Sequence, residues 1–171
     1  MRSWGKMVWF LLAVYAVSCF FAWAAIHELS HVLMARLLVG ISYWEINLIP
    51  KLKEAKLLRI QFASCFYIPL KRPTEQQQAA ISLAPRIPDV LGAIALPFVS
   101  LMPAPISYFM MVFCGSALVD LFVGSLGMSE KSDLRKAAEN IDLSPWTLRL
   151  MGACVIIGTV FLTLKNTGWI R

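Results

Sequence analysis

The chain is poor in acid and almost without histidine. It carries ten Asp and Glu against sixteen Lys and Arg, and its two histidines, His27 and His31, lie within five residues of each other. The four cysteines, Cys19, Cys65, Cys114 and Cys154, form no C-x-x-C pair. Their scatter excludes a cysteine zinc site and a disulfide framework, and leaves buried free thiols. There is no internal repeat and no low-complexity segment. Polar surface is also scarce: hydrophobic residues make up 58% of the chain and mean hydropathy is +0.67. Soluble domains use roughly 45–50% apolar residues, so a separate soluble domain is excluded.

What the chain has instead is long apolar runs. Four are marked, at about 7–39, 75–101, 106–128 and 146–164, each reaching the roughly 20 residues needed to cross a bilayer. The expected fold is an α-helical polytopic membrane protein: one membrane-embedded domain over residues 1–171 with about four transmembrane helices. The net charge of +6 is placed unevenly. Lys51, Lys53, Lys56, Arg59, Lys71 and Arg72 lie in one long connection, and Lys131, Arg135 and Lys136 in another. The termini and the turn 102–105 hold Arg2, Lys6, Lys165 and Arg171. The positive-inside rule puts both charged connections in the cytoplasm and both termini outside. This topology accounts for the basic balance, and no nucleic-acid module is present. The competing reading of the N-terminus is a signal peptide cut after Ala22-Trp23-Ala24. It would strip the first span from the motif described below.

Local patterns refine the picture. The first helix should stop at Gly40. Residues 59–68 alternate apolar and polar, and 43–49 do so less cleanly. Together they predict a small membrane-surface β-hairpin over about 42–69, between helices one and two. Thr74 and Gln77 form a capping box at the start of the second helix. Pro85, Pro88 and Pro97 should kink or locally unwind it. The polar stretch 129–140 reads as a short cytoplasmic helix, and Ser144-Pro145 opens the last span.

Inside the first apolar run stands His27-Glu28-Leu29-Ser30-His31. Ionisable side chains in such a run are expensive and mark function. On a helix, i and i+4 share a face, so His27 and His31 can hold one metal ion with Glu28 beside them. Imidazole ligands favour zinc, and a catalytic zinc takes three protein ligands and keeps one position open. Glu28 is placed to act as general base. The third ligand must come from elsewhere, and the acids considered are Asp89 and Asp120 within the later spans. His27 and His31 lie roughly 12–18 Å from the cytoplasmic end of their span, and Asp120 roughly 12 Å from its own. Asp89 sits deeper, at roughly 21 Å, and has Arg86 three residues before it as a partner. The expectation is Asp120, with Asp89 as the alternative.

These segments resemble the site-2 protease family of intramembrane zinc metalloproteases. The likeness rests on His27-Glu28-Leu29-Ser30-His31 followed by Ala35-Arg36, on Ala84-Pro85-Arg86-Ile87-Pro88-Asp89, and on Leu118-Val119-Asp120-Leu121. The glycine and asparagine of the family's second motif, and the glycine that follows its aspartate, are missing here. The resemblance implies a three-helix catalytic core with zinc held by His27, His31 and Asp120 and water activated by Glu28. It implies regulated intramembrane proteolysis of a membrane-protein substrate with a transmembrane segment, in a multi-pass protein of a prokaryotic cytoplasmic membrane, the site nearer the cytoplasmic face. An exposed strand edge of the hairpin would capture the unwound substrate by strand addition. The alternatives are a non-catalytic metal-binding membrane scaffold and a proton or metal-ion transporter. Substrate identity and oligomeric state are left open.

Overall fold

The computed structural model describes residues 2–48, 51–52, 60–61, 63–126 and 132–170. The first helix, α1 (Arg2–Leu38), is followed by β1 (Ile41–Asn47), β2 (Lys51–Leu52), β3 (Ile60–Gln61) and β4 (Ser64–Pro69). Five helices complete the chain: α2 (Glu75–Leu83), α3 (Arg86–Val99), α4 (Ile106–Leu126), α5 (Asp133–Asn140) and α6 (Pro145–Asn166). Four helical stretches are long and apolar enough to cross a membrane: Met7–Leu38, Glu75–Val99, Ile106–Ser125 and Pro145–Asn166. The second of these is the most enclosed by the rest of the molecule, and α6 the least.

The ends of α1 behave as its residues dictate. Gly40 takes φ +68, which a residue without Cβ adopts at little cost, and the chain turns into β1. β1 pairs antiparallel with β4, Ile46 opposite Cys65 and Trp44 opposite Tyr67. The strand expected over 59–68 is divided. Ile60 and Gln61 pair with Lys51 and Leu52 in a separate small ladder, while β4 alone pairs with β1. Residues 49–50, 53–59 and 62 of the expected hairpin lie outside the described residues.

The Thr74 capping box forms as expected: the Gln77 amide donates to Thr74 Oγ1 at 3.3 Å, and the Thr74 amide to Gln77 Oε1 at 3.0 Å. The predicted kink is a break between α2 and α3 at Ala84-Pro85. Ala84 and Pro85 keep right-handed helical dihedrals, so hydrogen bonds are lost there more than direction. α3 packs tightly on α1 and α4. A methyl group at Gly92 would collide with Ala117, and Trp23 lies close by, so the small residue sets the approach of three helices. The Asn166 side chain donates to the Pro97 carbonyl at 2.9 Å, and Tyr15 to Phe109 at 3.0 Å. These bonds gather the 100–105 turn, the early part of α1 and the end of α6 at one end of the bundle. The sheet and α5 lie at the other. α5 is amphipathic and buries Leu134, Ala137 and Ala138. It docks mainly on α2 and also touches α6 and α4.

Candidate metal centre

Three residues of α1, each one turn after the last, build the floor of the site. Trp23, His27 and His31 follow at i, i+4 and i+8 and so share a helix face. Trp23 donates its indole N–H to Asp89 Oδ1 at 2.8 Å. His27 donates Nδ1–H to Asp120 Oδ2 at 2.7 Å. His31 donates Nδ1–H to the Ile81 carbonyl at 2.7 Å. Each imidazole thereby has Nδ1 engaged and turns Nε2 into the site, where it can donate to a carboxylate or, without its proton, bind a metal.

The Ile81 carbonyl is free for this role because of the break behind it. In a continuous helix its partner would be the amide four residues on. That residue is Pro85, which has no N–H. What remains within the helix is a long bond of 3.4 Å from the Ala84 amide.

The two Nε2 atoms converge on a residue outside the expected set. His27 Nε2 lies 3.5 Å and His31 Nε2 3.4 Å from Asp133 Oδ2. Asp133 opens α5, beyond the apolar spans, and docking of α5 brings it under α1. Two ligands of one tetrahedral zinc, each about 2.0–2.2 Å from the ion, stand roughly 3.3–3.5 Å apart. The His27–Asp133 and His31–Asp133 separations match that spacing. The His27–Asp120 separation of 2.7 Å is a hydrogen bond and is too short for two ligands of one ion. The ligand atoms of His27, His31 and Asp133 all lie within 4.8 Å of one another, as do those of His27, Asp89 and Asp120. The second group, however, already holds a cation. Arg86 Nη1 donates to Asp89 Oδ2 at 2.8 Å and to the Asp120 carbonyl at 3.2 Å. The pairing of Arg86 with Asp89 expected from their spacing is therefore present, and Asp89 has no solvent exposure.

Burial alone would raise the Asp133 carboxyl. Hydrogen bonds with His27 and His31 outweigh it and hold the group well below the usual carboxylate range. Glu28 lines a cavity of about 330 Å³ together with His27, Asp120, Phe20, Val119 and, from the sheet side, Ala63. The Cys65 thiol hydrogen-bonds to the Glu28 carboxylate, and burial followed by that charge pushes the thiol up to about 12.

The structure thus brings His27, His31, Glu28 and Asp120 into one neighbourhood, with Asp120 hydrogen-bonded to His27. Asp133 is the residue that spacing and depth missed. A signal was present: Leu134, Ala137 and Ala138 form an apolar stripe on an otherwise polar segment, which marks a helix that docks and carries its first residue with it. Compared with protein-family models, curated proteins and solved structures, the chain matches none of them.

Proposed function

We propose that the chain is a multi-pass membrane zinc endopeptidase, with zinc held by His27 Nε2, His31 Nε2 and Asp133, cutting peptide segments in or near the bilayer. The observation that carries this reading is the spacing of the three ligand atoms, combined with two imidazoles whose other nitrogens are already engaged. In this reading Asp120 is a positioning residue for His27, in place of the third ligand expected from sequence. Charge is largely compensated as well: a dication and the Arg86 guanidinium would face the carboxylates of Asp89, Asp120, Asp133 and Glu28, which lowers the cost of burying them together.

When bound, zinc supplies a Lewis acid that polarises the scissile carbonyl and makes water a nucleophile near neutral pH. Glu28 takes the proton of the attacking water and passes it to the leaving amide nitrogen. Phe20, Val119 and Val123 give the adjoining cavity apolar walls, suited to side chains of a membrane segment. Ala63, just before β4, places the sheet at the cavity's edge, where an unwound segment can pair with a strand.

The test is metal content in detergent-purified protein, paired with cleavage of a reconstituted transmembrane reporter. One zinc per chain is expected in the wild type, with loss in His31→Ala and Asp133→Ala. Asp120→Ala should still bind, about 10–100-fold more weakly, as expected for a lost partner of a metal-bound histidine. Glu28→Gln should keep zinc and abolish cleavage. Full zinc in Asp133→Ala with none in Asp120→Ala would reverse the ligand assignment. Zinc bound by wild type with no cleavage of any membrane reporter would leave the scaffold reading.

A further inference from the structure

The cavity of about 330 Å³ beside Glu28 is a chamber between α1 and α4. Phe20, Trp23 and Ala24 line it from one face of α1, and Ser116 and Val119 from α4. The two helices run side by side in the same direction. Tyr15 donates to the Phe109 carbonyl at 3.0 Å at one level, and His27 to Asp120 at another. Between these two braces Trp23 packs edge-on against Phe113, ring centres 5.1 Å apart, so the wall is fixed before anything binds. The small side chains of Ala24 and Ser116 leave the room. The polar groups of this wall are already engaged: the Trp23 indole N–H with Asp89, and the Ser116 hydroxyl with the Val112 carbonyl at 3.1 Å. Among the described residues, ionisable groups enter the lining only at His27, Glu28 and Asp120. Val119, on the rim, is half exposed.

We propose that this chamber takes one large apolar side chain of the substrate, of about the size of phenylalanine, next to the bond that is cut, and so sets the register of cleavage. The identity of the occupant rests on the endopeptidase reading above; the shape of the chamber does not. Size decides first. A cavity of roughly 150 Å³ suffices for a benzene ring, so the chamber has room for one large side chain. An intact helix is roughly 10–12 Å across and can rest only on the rim, so the segment enters unwound, side chain first. Polarity decides next. A buried polar side chain needs partners, and the donors of the wall are spent. An acidic one would meet the Glu28 and Asp120 carboxylates. A basic one would pair with Glu28 and take away the base. Position follows from the lining itself. Glu28 borders the chamber, so a side chain seated against Phe20 and Trp23 leaves its own backbone beside Glu28. Ala24 and Ser116 then set the upper limit of size.

The experiment reconstitutes the full chain with transmembrane reporters whose cytoplasmic third is alanine except for one phenylalanine, moved one residue at a time. Cut positions are read by mass spectrometry. Cleavage is expected to follow the phenylalanine residue for residue, with kcat/KM at least about tenfold above that of the all-alanine reporter. Val119→Trp and Ala24→Leu, which fill the chamber from its rim and its floor, should each remove most of that preference while zinc content stays at the wild-type level. Phe20→Ala should extend the preference to tryptophan. A second readout needs no cleavage. With photoleucine, a diazirine analogue of leucine, in place of the phenylalanine and Glu28→Gln in the protein, crosslinks should fall on residues 20–24 and 116–119 and disappear in Val119→Trp. A cut that stays in place while the phenylalanine moves would overturn the proposal, as would a preference for a charged side chain. Crosslinks spread over exposed α1 positions such as Val14 and Val17 would overturn it whatever the cleavage result. Crosslinks in the chamber with no reporter cut would instead sink the endopeptidase reading and leave the chamber a binding site for an apolar side chain.

Discussion

Replacing Pro85 with alanine tests whether the helix break serves the histidine. The Ile81 carbonyl accepts His31 Nδ1–H at 2.7 Å because the residue four places on lacks an amide proton. Ala84 and Pro85 already have helical dihedrals, so Pro85→Ala needs little backbone movement to supply that proton. The new amide then competes with His31 for the same carbonyl, and the imidazole loses its fixed tautomer and orientation. Loss of such a partner typically costs about 10–100-fold in metal affinity, equivalent to about 1.4–2.7 kcal/mol. Protein stability should move the other way, since a proline inside a helix costs up to about 3 kcal/mol relative to alanine. The assay pairs competition of the purified protein against a zinc chelator with thermal unfolding of the chelator-stripped protein. The expected result is weaker zinc binding together with a higher metal-free melting temperature. An ordinary destabilising change would lower both. Zinc affinity equal to wild type, with the metal-free protein stabilised, would refute the coupling between the proline break and His31.

Two further expectations follow from buried groups. The Cys65 thiol, raised to about 12 by burial and by the Glu28 charge, stays protonated through neutral pH, and only the thiolate is nucleophilic. Its alkylation by N-ethylmaleimide should therefore keep rising about tenfold per pH unit up to about pH 10 without a plateau, and Glu28→Gln should move the profile to lower pH; a wild-type plateau near pH 8–9 would show that the thiol is not raised. At Gly124, a methyl group has no room beside the Arg86 guanidinium. Gly124→Ala should lower stability by about 1–3 kcal/mol, read by chemical unfolding in detergent, and unchanged stability would mean that the guanidinium has another place to go.

The parts of this molecule that were legible in the sequence are those set by local pattern. Apolar runs gave the four long helices, Thr74 and Gln77 gave a cap, Pro85 gave the break, and the spacing of Arg86 and Asp89 gave their ion pair. The pentad gave two imidazoles on one face. The divided second strand was not legible, because alternation over 59–68 is the same whether one partner strand or two receive it. Asp133 was hidden for a different reason. Depth counted along straight helices ranks only the acids that lie within the apolar runs. Asp133 has no depth of its own in that scheme. It reaches the histidines only because Leu134, Ala137 and Ala138 seat α5 against the bundle, a tertiary fact that counting along the chain does not contain. Depth puts Asp120 level with the histidines, and its carboxylate lies beside His27.

The two carboxylates around His27 divide their work by what surrounds them. Asp120 lies on α4 among apolar walls, with Arg86 at its backbone carbonyl and 3.9 Å from its side chain. A carboxylate so placed is already partnered by a cation, and its remaining capacity goes into orienting the imidazole at Nδ1. Asp133 stands on the opposite side of the same ring. Among the described residues its nearest lysine, Lys136, lies 3.8 Å away and is about half exposed, so it neutralises Asp133 weakly. Asp133 therefore keeps the charge that a dication requires, and it meets both Nε2 atoms at the spacing of a tetrahedral ligand set. In the proposed centre Asp133 rides on α5, so zinc binding and the seating of that helix on α2 would favour one another. A ligand contributed from outside the long apolar helices would make the proposed centre depend on how the polar helix docks, which a site built wholly from those helices would not.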